Sequence, residues 1–252
     1  MRTLVVVPTY NERPTIEKLL RRTRKAESSA HILVVDDGSP DATADLAEKV
    51  GSEVGEVTVL RRTQKAGLGD AYRAGFRWGL DHGYEALIEM DADLSHDPRE
   101  IPVLLGLLAH HELAIGSRYV PGGSVPRWGF HRRLISWGGN RYSAILLGMK
   151  VRDLTSGFRA YRSETLEKID LDSVKADGYG FQIEMAYLVH TAGGRIAETP
   201  IRFLDRTQGE SKMSTAIALE ALKLVTKWGV ERRLRQPAKA PKVPVTLPPW
   251  DR

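Results

Sequence analysis

Ala86-Leu-Ile-Glu-Met-Asp-Ala-Asp-Leu-Ser-His-Asp-Pro98 is the stretch that decides the fold. Ala86, Leu87 and Ile88 form a short apolar run that reads as a buried strand, and Pro98 suits the first position of a helix. Asp91 and Asp93 then stand two residues apart at the strand's carboxyl end, where alternation turns both side chains the same way. Two carboxylates so placed can hold a hard divalent cation and leave coordination positions for phosphate oxygens of a substrate. A lone Asp-x-Asp is also what a solvated acidic turn looks like, so the surrounding chain has to decide between the two.

Upstream, short β-rich runs alternate with amphipathic segments, the pattern of βαβ units and a mainly parallel sheet. Leu4 to Val7, Ile32 to Val35 and Val57 to Leu60 read as strands, and Leu4 to Val7 is continuously apolar, as when both faces of a sheet are covered. Pro14 to Ala26, a segment capped by Asp41 and running to Val50, and Leu68 to His82 before Gly83 read as helices. Downstream, Pro98 to Ala109 is expected to be helical and Leu113 to Ile115 to be a strand. Ligands of open α/β sheets gather at the carboxyl ends of strands. The polar residues cluster there: Thr9 to Glu12, Asp36 to Ser39, Asp91 to His96, and Ser117 with Arg118.

After Tyr119 the character changes. Pro121, Gly122, Gly123 and Pro126 mark a loop, and Phe130 to Gly148 reads as a helix rich in aromatic and basic residues. Gly157 to Tyr161 is an expected strand, Phe181 to Ala192 a helix, and Arg195 to Leu204 an extended segment broken at Pro200. Thr215 to Arg235 forms a last helix, with Ile217, Ala221, Leu224, Val225 and Trp228 on one stripe and Lys223 and Lys227 opposite. Beyond Gln236, five prolines and interspersed basic residues read as a disordered tail over 236–252. One domain over 1–235 is expected, with 118–150 as a loop and helix of distinct character and 214–235 as its closing amphipathic helix.

The 252 residues, 42% of them hydrophobic, suffice for a substantial core. With no cysteine, disulfides and thiolate metal sites are excluded. No stretch approaches the roughly 18 uninterrupted apolar residues of a membrane span. The net charge of +5 is unevenly spread, since Arg118 to Arg152 holds seven Lys and Arg and no acidic residue. That imbalance points to an anionic partner at one face. Gly67-Leu-Gly69 lacks the third glycine of a dinucleotide fingerprint, and no phosphate-binding Gly-x-x-x-x-Gly-Lys loop is present. Asp36-Asp-Gly-Ser39 closes a strand and can be a simple turn, or Asp37 can accept hydrogen bonds from a base or ribose. Tyr10 and Glu12 offer a flat face and an acceptor beside it.

Pro8-Thr-Tyr-Asn-Glu12, Asp36-Asp-Gly-Ser-Pro40, Gly67-Leu-Gly69, Met90-Asp-Ala-Asp-Leu-Ser-His96, Gly116-Ser-Arg-Tyr119 and Gly209-Glu-Ser-Lys-Met213 occur in one order. Together they resemble the inverting family-2 glycosyltransferases, and most closely the dolichol- or polyprenol-phosphate mannose synthases of the actinobacterial kind. The resemblance covers residues 2 to 230. It implies a Rossmann-like nucleotide-diphospho-sugar transferase (GT-A) fold with helices on both faces of the sheet.

It further implies that Pro8, Tyr10, Glu12, Val35 and Asp37 surround a guanosine, with Asp91 and Ala92 next to them. Asp93 would be the principal ligand of Mg²⁺ or Mn²⁺, with Asp91 beside it and Ser95, a weak ligand, at a third position. Arg206 and Lys212 would close on the donor diphosphate. Arg118, Arg132 and Ser136 would hold the acceptor's phosphate, Arg132 and Ser136 being one helical turn apart. Arg133 rivals Arg132 by position alone. Asp93 and Arg118 are the residues on which the chemistry would turn, whereas His96 is expected to be a structural contact of its loop.

The expected reaction is transfer of mannose from GDP-mannose to polyprenyl phosphate with inversion. The alternatives are a UDP-glucose-dependent polyprenyl-phosphate glucose synthase and a non-catalytic nucleotide-binding subunit. The aromatics among the basic residues, Tyr119, Trp128, Phe130, Trp137 and Tyr142, fit nucleic-acid stacking or a membrane interface, with core packing an equal reading of Trp137. The lipid acceptor that the resemblance implies favours the membrane, and no nucleic-acid partner is expected. With no spanning segment, peripheral attachment to the cytoplasmic face of the membrane is expected, with room for an integral membrane partner.

Overall fold

The computed structural model describes residues 1–64, 66–205 and 215–235. The first half runs β1 (Thr3–Thr9), α1 (Arg13–Ala26), β2 (His31–Asp36), α2 (Thr43–Val54), β3 (Val57–Arg61), α3 (Leu68–Asp81) and β4 (Ala86–Glu89). After a 3₁₀ turn at Pro98–Glu100 come α4 (Ile101–Leu107), β5 (Leu113–Ser117), α5 (Phe130–Leu147), β6 (Arg159–Arg162), α6 (Ser163–Glu167), α7 (Gly178–Thr191), β7 (Ile196–Pro200) and α8 (Thr215–Arg235). The strands form one sheet in the order β3-β2-β1-β4-β6-β5-β7, parallel except for β6. The order reverses between β1 and β4, which opens a crevice at their carboxyl ends.

Alternate residues of the apolar strands feed two cores. Leu4, Val6, Leu33 and Val35 pack with α3, α7 and α8 on one face, while Val5, Val7, Ile32 and Val34 pack with α1, α2 and α4 on the other. This two-sided burial is why β1 and β2 read as unbroken hydrophobic runs. Helix α3 lies especially close: a side chain at Gly79 would meet Leu87 Cδ2 at 2.6 Å, and one at Gly75 would overlap Val6. Helix α8 packs on α5 and α7 through Ala221, Val225 and Trp228, with Lys223 and Lys227 exposed, as its sequence pattern predicts.

Some boundaries differ from the sequence expectation. The helix expected over Pro98 to Ala109 opens as a 3₁₀ turn, with the Asp97 carboxylate accepting from the Arg99 N–H at 3.1 Å, and its α-helical part ends at Leu107. Asp41 caps α2 from two residues ahead, accepting from the Thr43 N–H at 3.0 Å. The strand expected from Gly157 begins at Arg159, and the five-residue α6 is too short to show a helical period. Ile217 and the tail 236–252 fall outside the residues whose side chains are described, as do Arg206 and Lys212.

Candidate active site

Because β4 and β5 both run antiparallel to β6, their carboxyl ends share one edge of the sheet with those of β1 and β2. Every described candidate outside α5 therefore sits at or just past the same rim. At the end of β2, Asp36 Oδ2 accepts from Thr9 Oγ1 at 2.9 Å and Ser39 Oγ at 2.6 Å, and Asp36 Oδ1 accepts from the Ser39 N–H at 2.9 Å. Asp36 thus ties the ends of β1 and β2 together and leaves its neighbour to face the crevice. Asp37 is buried, which pushes its carboxyl upward, while Arg62 Nη1 at 3.1 Å from Oδ1 opposes that rise. Glu12 starts α1: its carbonyl accepts from the Thr15 and Ile16 N–H groups, and its carboxylate accepts from Thr15 Oγ1 at 3.2 Å. Pro8 and Tyr10 are half-buried beside it, and Val35 is fully buried beneath.

Strand β4 ends at Glu89, so Asp91 and Asp93 lie in the turn beyond it and strand alternation does not set their direction. The turn itself does. Leu94 adopts a left-handed backbone with φ 65°, and the Ser95 N–H donates to Asp93 Oδ1 at 3.0 Å. Asp91 is oriented from the other side, where Tyr72 OH donates to Asp91 Oδ1 at 3.2 Å. Tyr72 is fully buried and stacked between Phe76 and Phe181, with centroids 6.1 and 5.9 Å away. Ala92, Asp93 and Ser95 are all buried, and Ser95 Oγ has no hydrogen-bond partner among the described residues.

His96 lies flat on Phe158 at 5.0 Å and meets the edge of Phe203 at 5.6 Å. Burial lowers its imidazole to about 4, and the charges of Asp93, Arg118 and Asp153 all reach it. It is therefore a neutral structural ring, and its surroundings join the aspartate loop to the basic side of the site. There, Arg118 is buried in a fork with Asp153, Nε to Oδ2 at 2.8 Å and Nη2 to Oδ1 at 2.6 Å, and Nη2 also donates to Thr155 Oγ1 at 2.7 Å. Burial alone would raise Asp153, but Arg118 holds it below the usual carboxylate range. The Arg118 guanidinium carbon stands 5.4 to 5.5 Å from the rings of Tyr119, Trp128 and Phe203.

On α5, Tyr119 OH donates to Ser136 Oγ at 2.7 Å, which leaves the serine's own proton for another acceptor. Arg132 lies 4.0 Å above the Trp128 ring, and its Nη1 donates to Asp205 Oδ1 at 3.0 Å. Trp128 Nε1 donates to the same oxygen at 2.8 Å. Arg133, the positional rival of Arg132, is exposed.

The site also contains groups that sequence reasoning missed. Arg62 carried a usable signal, since it follows β3 just as Asp37 follows β2. Tyr72, Asp153, Phe203 and Asp205 carried none, because each reaches the site from a distant part of the chain.

Residues 4–170 match the model of glycosyl transferase family 2. The chain belongs to that family. This glycosyltransferase is 50% identical over 233 residues to undecaprenyl-phosphate mannosyltransferase of Micrococcus luteus, covering 92% of this chain and 96% of that protein. It is 50% identical over 235 residues to polyprenol monophosphomannose synthase of Mycolicibacterium smegmatis, covering 92% and 89%. Among solved structures it resembles UDP-bound glucosyl-3-phosphoglycerate synthase of Mycobacterium tuberculosis, with a TM-score of 0.68 at 20% identity, covering 91% of this chain and 80% of that one. That likeness concerns the fold, which is the GT-A arrangement expected from the sequence.

The donor set suits a divalent cation. Asp91 and Asp93 supply two hard oxygens, and the orphaned hydroxyl of Ser95 beside them can complete or orient a ligand shell. Among the described residues no group of three His, Cys, Asp and Glu side chains gathers as a metal cage. A cation here would therefore draw its remaining oxygens from substrate and water, as Mg²⁺ and Mn²⁺ sites on phosphates do.

Proposed function

We propose that this glycosyltransferase moves mannose from GDP-mannose to polyprenyl phosphate, giving polyprenyl β-mannosyl phosphate and GDP. The reading is carried by one observation. The loop of Asp91 and Asp93 and the Arg118–Trp128–Arg132 cluster share a single aromatic wall, in which Phe203 touches His96, Trp128 and Arg118. A diphosphate donor and an anionic acceptor can thus meet across that wall. The names of the two relatives at 50% identity support the choice of mannose and of a polyprenyl phosphate acceptor.

An acceptor phosphate oxygen attacks the anomeric carbon as the bond to the GDP β-phosphate oxygen breaks, and that electron pair leaves with GDP. A phosphate monoester has its second pKa near ~6, so the nucleophile is already ionised and no protein base is required. Neutral His96, packed between Phe158 and Phe203, is accordingly left out of the proton inventory. When bound, Mg²⁺ or Mn²⁺ would be held by Asp91 and Asp93, with Ser95 alongside, and would neutralise charge on the departing diphosphate. Tyr10, Glu12 and Asp37 border the nucleoside end, near Pro8, Val35 and Ala92. Arg132 and the Ser136 hydroxyl bind the acceptor phosphate, and Arg118, locked by Asp153, fixes the wall against which the two anions align. Arg206 and Lys212 complete the donor diphosphate site in this proposal.

The acceptor's lipid fits the surface around that cluster. Among the described residues, nine of the twelve exposed large hydrophobics lie on α5 and α8: Phe130, Leu134, Ile135, Trp137, Tyr142 and Ile145 on the first, and Leu219, Val230 and Leu234 on the second. Arg127, His131, Arg132, Arg133 and Arg141 are exposed in or beside α5. Rings and cations so mixed suit the headgroup level of a bilayer. No described helix is long and apolar enough to cross a membrane. The exposed rings and cations of α5 support peripheral attachment, which this proposal places at the cytoplasmic face, where an integral membrane partner can reinforce it.

The test is direct. Purified protein with Mg²⁺, GDP-mannose and a short-chain polyprenyl phosphate is expected to form a mannosyl lipid, with UDP-glucose as the parallel donor. Glucosyl lipid without mannosyl lipid would overturn the donor assignment, and no lipid product from either donor would overturn the acceptor assignment.

A further inference from the structure

Asp205 is the acidic side chain that holds Arg132, the arginine proposed to bind the acceptor phosphate. Its Oδ1 accepts from Arg132 Nη1 at 3.0 Å and from Trp128 Nε1 at 2.8 Å, and the two donors are themselves held together, with the Arg132 guanidinium 4.0 Å over the indole. The indole N–H holds the Asp205 carboxylate in place, and the guanidinium N–H placed on its oxygen is the contact that a phosphate oxygen would also seek. Trp128 is buried and rigid, whereas Arg132 is half-exposed on a long stem and can change partner.

We infer that Asp205 is a built-in competitor for the acceptor phosphate, occupying Arg132 in the empty site and taking it back once the product has formed. The inference rests on Arg132 belonging to the acceptor site, as proposed above. Its physical basis is the change of charge during the reaction. The acceptor is a phosphate monoester carrying about −1.5 to −2 near neutrality, with three oxygens available. The product is a phosphodiester with a single negative charge, because the attacking oxygen is now bonded to the sugar. A carboxylate also carries one charge. Asp205 therefore loses Arg132 to the monoester and competes on even terms with the diester, which favours entry of substrate and departure of product. Asp205 thus weakens the hold on both headgroups and leaves the diester, with the smaller charge, the less firmly bound.

The experiment uses the full chain with Mg²⁺, GDP-mannose and a short-chain isoprenyl phosphate in detergent, with an isoprenyl phosphodiester as inhibitor. Asp205→Asn keeps the shape and an accepting oxygen but removes the charge. It is expected to lower the acceptor KM about three- to fivefold, the scale of a partly exposed ion pair. Inhibition by the phosphodiester should strengthen by a similar factor, since either headgroup has to displace the same carboxylate from Arg132. Trp128→Phe keeps the ring under Arg132 but removes the indole N–H, and it should lower the acceptor KM in the same direction.

An unchanged or raised acceptor KM in Asp205→Asn, or unchanged inhibition by the phosphodiester, would overturn the inference, since Asp205 would then not compete for Arg132. Arg132→Ala separates that failure from failure of the acceptor site itself. A higher acceptor KM in Arg132→Ala leaves the site standing whatever Asp205 does, whereas an unchanged one overturns the site and the inference together. If Asp205→Asn is too unstable to assay, Trp128→Phe decides alone, and a higher acceptor KM there counts against the inference.

Discussion

The two halves of the cleft are built differently. On the proposed nucleotide side, candidate residues lie in or beside turns directly after β1, β2 and β4, and several are tied to neighbours a few positions away, as Asp36 is to Ser39 and Asp93 to Ser95. On the acceptor side, the contacts join positions 35 residues apart in Arg118–Asp153, 73 in Arg132–Asp205 and 77 in Trp128–Asp205. The parallel sheet makes the first side rigid by topology. The second depends on side chains that meet only after folding and is fringed by exposed apolar surface. In the proposed reading, one half is preorganised for a soluble nucleotide, and the other stays adaptable for a lipid-borne acceptor.

The sharpest break of this contrast is Asp93→Asn. Asparagine still accepts from the Ser95 N–H, so the turn and the melting temperature should be retained while the charge that holds a cation is lost. Mannosyl-lipid formation is expected to fall on the order of a thousandfold, as when electrostatic stabilisation of a leaving group is removed. A loss under tenfold, with the fold intact, would show that the nucleotide side does not depend on its carboxylates. Asp153→Ala probes the other half and should act on stability first. It leaves the buried Arg118 guanidinium without its counter-ion, which costs about 3–5 kcal/mol in comparable settings. The denaturation midpoint reports this, and an unchanged midpoint would mean that Arg118 finds water or another anion.

The same contrast explains what the sequence disclosed. The strands were legible because β1, β2 and β4 are buried on both faces, and the rim motifs because each occupies a few consecutive residues. The direction of Asp91 and Asp93 was not, since it comes from the positive φ of Leu94 and from Tyr72 on another element rather than from strand alternation. The Asp153 and Asp205 carboxylates were invisible for a related reason: an acidic residue far along the chain looks like any surface charge until packing brings it to an arginine. Arg118 reads in the sequence as an acceptor-phosphate ligand, and the partners of its Nε and Nη2, Asp153 and Thr155, were equally invisible there.

A smaller effect should come from the apolar surface of α5. Phe130 and Ile135 are 73% and 74% exposed, so replacing both with Ser removes little from the core. If these side chains enter lipid, each contributes about 1.5–3 kcal/mol of apolar transfer at most. About 1.4 kcal/mol of that total would show, in sedimentation with anionic vesicles, as about tenfold weaker partitioning, which is the expected result. Turnover of a detergent-dispersed short-chain acceptor should be preserved. Equal partitioning of the double variant would move the membrane contact away from α5.

The smallest effect, and the finest probe of the rigid half, is Tyr72→Phe. The ring keeps its place between Phe76 and Phe181, so the core is undisturbed, and only the hydroxyl that donates to Asp91 Oδ1 disappears. A hydrogen bond to a charged acceptor contributes about 1.5–3 kcal/mol when fully desolvated, but Asp91 is half-buried and water can replace part of it. The donor KM and the apparent metal affinity should therefore worsen about three- to tenfold, with the acceptor KM unchanged. Because Tyr72 touches neither substrate in the proposed arrangement, a donor-only effect would show that α3, seated tightly on β1 and β4 by Gly75 and Gly79, transmits its position to the cation site. A change in the acceptor KM of similar size would instead show that the two halves are coupled through the aspartate loop, and the separation drawn between them would have to be given up.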